Sequence, residues 1–171
     1  SNAYLRLCLT EQTFTQVALY NGNPIGVIMG NSFRRAHKSL KNRFQARCAL
    51  LILSLTAEGR RAWHFYEEID QIYEKLLSRQ SQDYEGELTF LAIHPGYRGL
   101  GIGKELYRRF FAYMNSENIQ HFYVFTDTTC NYGFYEGQKL LLCGTEDVTL
   151  PVNGSPKQFL FFIYENLAGR T

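Results

Sequence analysis

The sequence has no apolar run near the roughly 18–20 residues that a membrane-spanning helix needs, so it offers no candidate span. Its four cysteines, Cys8, Cys48, Cys130 and Cys143, include no C-x-x-C pair, which excludes the usual zinc and redox motifs. The expectation is four reduced, mostly buried thiols. No secretory leader is visible, and the chain reads as cytoplasmic. Charge of one sign is also lacking: the formal net charge is only +2, too little to argue for a nucleic-acid partner from the total. Proline is scarce, with 4 in 171 residues, and none lies between Phe33 and Gln80.

What is present is ordinary for a folded domain. Hydrophobic residues make up 45% and charged residues 20%, so the chain can bury enough surface to offset its chain entropy, which excludes disorder. The length suits a single domain spanning 1–171. Aromatics reach 15%, with 12 Tyr and 13 Phe, and many of those rings must sit in a core or line a pocket. Ser1-Asn2-Ala3 reads as a remnant of tag cleavage, although Tyr4 rather than Met follows it.

Thr13–Tyr20 and Ile25–Met29 read as a β-hairpin across the turn Asn21-Gly22-Asn23-Pro24. Gly26 and Gly30 suggest close backbone approach or a bulge. From about 33 to 80 the strand pattern gives way to a helical insert of two or more helices. Its first part is basic (Arg34, Arg35, Lys38, Lys41, Arg43, Arg47). Its last part has Phe65, Ile69, Ile72, Tyr73, Leu76 and Leu77 at helical spacing, with acids on the opposite face. Glu58-Gly59-Arg60-Arg61 reads as a break. Glu87–Ile93 is a strand ended by Pro95, and Lys104 to about Asn115 is an amphipathic helix. Ile119–Phe125 is a strand, and Cys130–Gln138 is a short helical region. Lys139–Cys143 and Gln158–Tyr164 are two more strands, with Pro151–Pro156 as the turn between them. The order predicts a mixed α/β domain of the α+β type.

The chemistry concentrates in Ile93-His94-Pro95-Gly96-Tyr97-Arg98-Gly99-Leu100-Gly101-Ile102-Gly103-Lys104. A strand runs into a glycine-dense turn that opens a helix. Glycines let successive N–H groups point at one anion, and the helix dipole adds positive potential at the same place. Such a turn cradles a pyrophosphate, with Arg98 as a cation at the rim. It is not a P-loop, because Lys104 is followed by Glu105 and the glycine spacing differs. It is not a dinucleotide fingerprint either: Gly99, Gly101 and Gly103 give G-x-G-x-G, late in the chain.

Arg98-Gly99-Leu100-Gly101-Ile102-Gly103 resembles the acyl-CoA-binding motif of the GNAT superfamily of N-acetyltransferases, [R/Q]-x-x-G-x-[G/A]. Ala92-Ile93-His94-Pro95 is similar to the strand end that precedes it in that family. Phe134-Tyr135-Glu136 is similar to the family's later F-Y-E signature. The resemblance extends over about Thr13–Gly30 and Glu87–Tyr164. It implies a mixed, mostly antiparallel sheet, with the insert between the family's third and fourth strands. It also implies transfer of an acetyl group from acetyl-CoA to a primary amine by direct attack in a ternary complex. No metal is expected. By the resemblance, the pantetheine arm lies between the family's fourth and fifth strands on Leu91, Ala92 and Ile93. The pyrophosphate sits on Arg98, Gly99, Leu100, Gly101, Ile102, Gly103 and Lys104. Tyr135 is the acid that protonates the leaving thiolate, and Glu87 is the candidate general base. His94 is a second candidate base, more naturally structural.

The family pattern is not fully kept. Thr128 stands where many members have Asn, seven residues before Tyr135, and Asn131 stands where a small residue is common. Thr128 and Asn131 are therefore carried as substitute contacts to the CoA arm. Only 12 residues precede Thr13, too few for the strand and helices with which the family begins. Either those elements are missing from this sequence, or the insert takes over their wall of the acceptor site. The acceptor is a small-molecule or peptide amine. The alternative is an inactive acetyl-CoA-binding sensor. Residues 34–47 offer a contact to an acidic partner such as nucleic acid or ribosome, or to CoA's own phosphates, but a solvated face paired with the acids of 67–74 is favoured; nucleic acid is not the expected partner, nor is a membrane. The apolar stretch 49–55 with the rings of 62–77 offers a homodimer surface.

Overall fold

The computed structural model describes residues 12–35, 57–152 and 155–166, with the side chains of the helix that starts at Ala57 described from residue 67 onward. The described elements run β1 (Phe14–Tyr20), β2 (Asn23–Ser32), α1 (Ala57–Ser78), β3 (Gly86–Ile93), a 3-10 turn (Pro95–Tyr97), α2 (Ile102–Ser116), β4 (Phe122–Asp127), α3 (Gly133–Gly137), β5 (Leu141–Val152) and β6 (Ser155–Glu165). The strands form one six-stranded sheet in the order β1-β2-β3-β4-β6-β5. Only β3 and β4 run parallel, joined by α2 as a parallel pair requires; every other neighbour is antiparallel. This is the mixed, mostly antiparallel sheet expected from the sequence.

The hairpin turn is set by Asn21 and Gly22, both at positive φ (48° and 78°), the backbone that a tight two-residue hairpin turn demands. In β2, Gly30 is a close-approach glycine. A Cβ there would stand 2.2 Å from the Phe110 ring and 2.9 Å from the Glu87 carbonyl oxygen. The register slips beside it: Met29 pairs with Phe90 and Gly30 with Leu88, so Thr89 is an extra, bulged residue of β3.

Alternation along β4 and β6 divides the chain's rings between two cores. Phe122, Val124, Phe162 and Tyr164 face α2, packing with Leu106, Tyr107, Phe110 and Met114. Tyr123, Phe161 and Ile163 face α1, packing with Ile72 and Leu76. The apolar positions of α1 therefore lie against the chain's own sheet, which removes Ile72, Tyr73 and Leu76 from the homodimer surface considered above; residues 49–55 lie outside the described part.

Four expectations are corrected. The helix runs through Gly59 without a break, because one glycine costs only about 1 kcal/mol against Ala and packing of the later turns outweighs it. Strands β5 and β6 extend to Val152 and Ser155, with Pro151 opposite Pro156. β5 is an edge strand, where a missing N–H disturbs no neighbour. The bases at the start of the insert pair elsewhere: Arg34 binds Glu85 and Arg35 binds Glu117, not the acids of α1. Cys130 is exposed, while Cys143 is half-buried against the α1-side core, so the described thiols are less buried than expected; Cys8 and Cys48 lie outside the described part. Basic residues 38–47 lie outside it too.

Candidate active site

β3 and β4 pair at only two positions, Gly86 with Phe122 and Glu87 with Tyr123. Both strands then continue without each other, β3 to Ile93 and β4 to Asp127. The result is a V-shaped gap in the middle of the sheet. The Thr89 bulge gives its cause, since a bulge bends its strand just after the last pair with β4. The closed end is clamped by Glu85. Its carboxylate accepts from the Gln120 N–H at 2.8 Å and its backbone N–H donates to the His121 carbonyl at 2.8 Å. The Gln120 N–H holds this carboxyl below the usual carboxylate range, helped by Arg34.

Backbone direction decides which groups line the gap. The His94 N–H donates to the Ile25 carbonyl of β2 at 2.8 Å. N–H groups alternate along a strand, so that of Ala92 also faces β2, whereas those of Leu91 and Ile93 face the gap. Arg98 reaches back over the strand end, its Nε donating to the Ile93 carbonyl at 3.3 Å.

Beyond β3 the His94 ring caps the 3-10 turn: Nδ1 accepts from the Gly96 N–H at 3.2 Å. This gives His94 a structural task. Gly99 and Gly101 both have φ +79°, the left-handed region that a side chain resists. Gly101 is the N-cap of α2 and supplies no side-chain cap. The N–H groups of Ile102, Gly103 and Lys104 in the first turn therefore have no intrahelical partner and point out of the helix end. Gly103 lies beside the Phe134 ring of α3, where an added Cβ would make contact at 3.4 Å. Leu100 is 70% exposed at the crest of the turn. Next to it an open groove is lined by Gly101, Lys104, Tyr107, Arg108, Lys139 and Leu140.

The two candidate proton carriers flank the gap on opposite faces of the sheet. Tyr135, on α3, is buried in the core with α2, where burial and the nearby Cys130 thiol raise its pKa above the usual phenol value. Glu87 points to the other face, that of Tyr123. Burial pushes its carboxyl up to about 7, while hydrogen bonding from the Tyr123 phenol pulls the other way. A carboxylate with that value is poised to take a proton at neutral pH.

Thr128 is turned away from the gap. Its N–H donates to the Leu160 carbonyl at 3.0 Å, and its hydroxyl accepts from the Leu160 N–H at 3.4 Å, on the β6 side of β4. Asn131 is exposed, its carbonyl bonded by the Phe134 N–H at 3.1 Å as α3 begins. Two residues go unmarked by the motifs. Thr126 of β4 is 4% exposed, and its Oγ1 has no hydrogen-bond partner. Its signal is present in the sequence as a polar residue closing the inward alternation Phe122-Val124-Thr126. Tyr73 of α1 stacks on Phe125, with ring centroids 4.1 Å apart and planes 10° apart. Nothing local to its own segment marks it.

The GNAT acetyltransferase family model matches residues 2–138, from ahead of β1 through α1 to the end of α3. The chain belongs to the GNAT acetyltransferase family. Solved structures with the same fold include Chaetomium thermophilum Naa20 in complex with a bisubstrate analogue, at 18% identity and TM-score 0.55, over 95% of this chain and 70% of that one. Smu.2055 from Streptococcus mutans shares 14% identity at TM-score 0.56, over 97% and 77%. A GNAT acetyltransferase from Elizabethkingia anophelis with acetyl-CoA bound shares 12% identity at TM-score 0.51, over 96% and 82%. Comparison with curated proteins finds no match. As a GNAT acetyltransferase the chain is an acetyl-CoA-dependent acyltransferase. Among the described residues no helix is long and apolar enough to cross a membrane, and no group of metal-ligating side chains gathers.

Proposed function

We propose that this GNAT chain is a single-domain N-acetyltransferase that moves the acetyl group of acetyl-CoA to a primary amine by direct attack in a ternary complex. The observation that carries the reading is the gap between β3 and β4. It opens immediately past Glu87, and β3 leads from it straight into the glycine turn. The pyrophosphate is held by N–H groups of the turn from Gly99 to Lys104, with Arg98 at its rim. The pantetheine arm lies in the gap against Leu91, Ala92 and Ile93. The inward N–H groups of Leu91 and Ile93 are its hydrogen-bond donors, and one of them polarises the thioester carbonyl. Thr126 gains a partner from the same arm. Thr128 and Asn131 contribute less, the first because its hydroxyl already accepts from the Leu160 N–H.

The faces divide the proton work. The amine approaches on the Glu87 side and loses a proton to that carboxylate, directly or through water. The tetrahedral intermediate then collapses, and Tyr135, on the opposite face, donates its phenolic proton to the departing CoA sulfur. Raised values at both groups serve these roles: Glu87 becomes a stronger base and Tyr135 keeps its proton until the thiolate forms. A covalent route has little support. The exposed Cys130 thiol touches Thr129 at 4.0 Å, and no histidine base contacts it among the described residues. The relatives do not choose the acceptor, which is a small molecule or a peptide amine.

The test is release of free thiol from acetyl-CoA with a panel of amines, with Glu87→Gln and Tyr135→Phe in parallel. Turnover with one amine class, reduced in both variants, supports the reading. Acetyl-CoA binding without turnover on any amine would replace it with a binding protein.

A further inference from the structure

The inserted helix does more than cover the sheet. We propose that Tyr73 of α1 is a positioning residue for the acceptor. Its ring, stacked on Phe125, closes the Glu87 side of the gap and forms the surface along which the stem of an organic amine lies. This rests on the acetyl-transfer reading above.

The argument starts from the two faces. The glycine turn, α2 and Tyr135 stand on one face, and Glu87 with Tyr123 on the other. An amine that gives its proton to Glu87 must arrive on the α1 face. On that face α1 packs against β5 and β6 and its coverage stops at β4, where Tyr73 stacks on Phe125. Across the gap, on β3, Phe90 is 46% exposed. Tyr73 thus stands at the edge of the cover that α1 gives the sheet, on the face to which Glu87 points.

The ring is fixed for this task. Phe125 holds it face-on at 4.1 Å and Phe161 edge-on at 5.9 Å, while Tyr123 meets Phe125 at 5.0 Å. A wall already rigid loses little entropy when a ligand lies on it. Aromatic faces also attract an ammonium group. Burial raises the pKa of the Tyr73 hydroxyl, and among the described residues the acidic groups Asp127, Cys130, Glu87 and Asp70 add to it; Asp127 lies two residues along β4 from Phe125, the ring on which Tyr73 stacks. Asp127 is further tied to the Thr129 N–H and hydroxyl. A ligand carboxylate beside the reacting amine would face Asp127 and Glu87 and be repelled. The acceptor class is therefore a primary amine on an aliphatic or aromatic stem without an adjacent carboxylate, not a free α-amino acid.

The experiment uses the full chain loaded with CoA and measures binding of phenethylamine and of phenylalanine, the same stem with and without the carboxylate. Tyr73→Ala is expected to weaken phenethylamine at least tenfold and to leave acetyl-CoA affinity within twofold; Tyr73→Phe retains most of the binding. Wild type is expected to bind phenylalanine at least tenfold more weakly than phenethylamine. Where turnover is measured, the Tyr73→Ala change falls on the acceptor KM rather than on kcat. Tyr73→Leu, which keeps an apolar side chain against Phe125, checks that loss of binding is not loss of fold. Unchanged phenethylamine affinity in Tyr73→Ala overturns the inference, as does equal binding of the two probes. Acetyl-CoA binding with no binding of phenethylamine overturns it while leaving the acetyl-CoA reading intact. Absence of acetyl-CoA binding in wild type removes both.

Discussion

Replacing Glu87 by Gln should make the protein more stable at alkaline pH and nearly inactive. The carboxyl is lifted from 4.5 to about 7 in the folded chain, chiefly by burial. The sign follows from proton counts. Between pH 4.5 and 7 the unfolded chain has released this proton while the folded chain still holds it. Raising the pH across that window therefore favours unfolding, by about 1.36 kcal/mol per unit for this group. The full span gives about 3 kcal/mol, and solvent reaching the carboxylate through the gap lowers the figure to about 1–3 kcal/mol. Gln carries no such titration. Urea melts at pH 4 should give similar stabilities for the two proteins, and at pH 8 the variant should exceed wild type by that margin. Turnover moves oppositely. Wild-type kcat/KM rises with pH through a value near 7 as the base ionises. The variant loses about 10²–10⁴-fold and shows no such limb. A pH-independent stability difference, or a variant that keeps the limb near 7, would refute the assignment of both the burial and the base.

Tyr135→Phe removes the proton donor without changing the packing of the ring; kcat should fall about 10²-fold or more while acetyl-CoA affinity by calorimetry stays within twofold. Gly101→Ala places a side chain at φ +79°, costing about 1–2 kcal/mol in a melt and weakening acetyl-CoA binding more than a distant surface change of equal stability cost. Thr126→Val deletes a buried hydroxyl with no partner, so the free protein should melt no lower than wild type, while acetyl-CoA binding weakens severalfold as the arm loses its contact. Leu76→Ala, at a site with 0% exposure under α1, should cost about 2–5 kcal/mol by denaturant melt and raise acceptor KM as the helix loosens.

Much of the cofactor side was legible because it is local. Gly99 and Gly101 adopt positive φ because the turn needs it, and glycine is the residue that supplies it cheaply. The strand before the turn and the helix after it follow from their own periodicities. The misreadings are those in which distant packing overrules a local signal. Gly59 stays helical although glycine disfavours it, while further along α1 Ile72 and Leu76 are anchored on Phe161 and Ile163. Pro151 stays in a strand because tertiary structure puts that strand at an edge. At the motif position the Thr128 hydroxyl accepts from the Leu160 N–H of β6, a pairing from 32 residues away that no local signal shows.

The sequence by itself determined the order of the elements and the glycine turn with its left-handed positions, since each is written within a few neighbouring residues; the candidates Tyr135 and Glu87 came from the family resemblance. Tertiary structure decided where β3 and β4 part, on which face Glu87 and Tyr135 each stand, and that Tyr73 meets Phe125 across half a domain. Those depend on a single bulge at Thr89, on the twofold alternation of a sheet packed on both sides, and on burial that moves the Glu87 carboxyl to about 7. Burial and strand pairing are properties of residues brought together from far apart, and no short stretch of chain carries them.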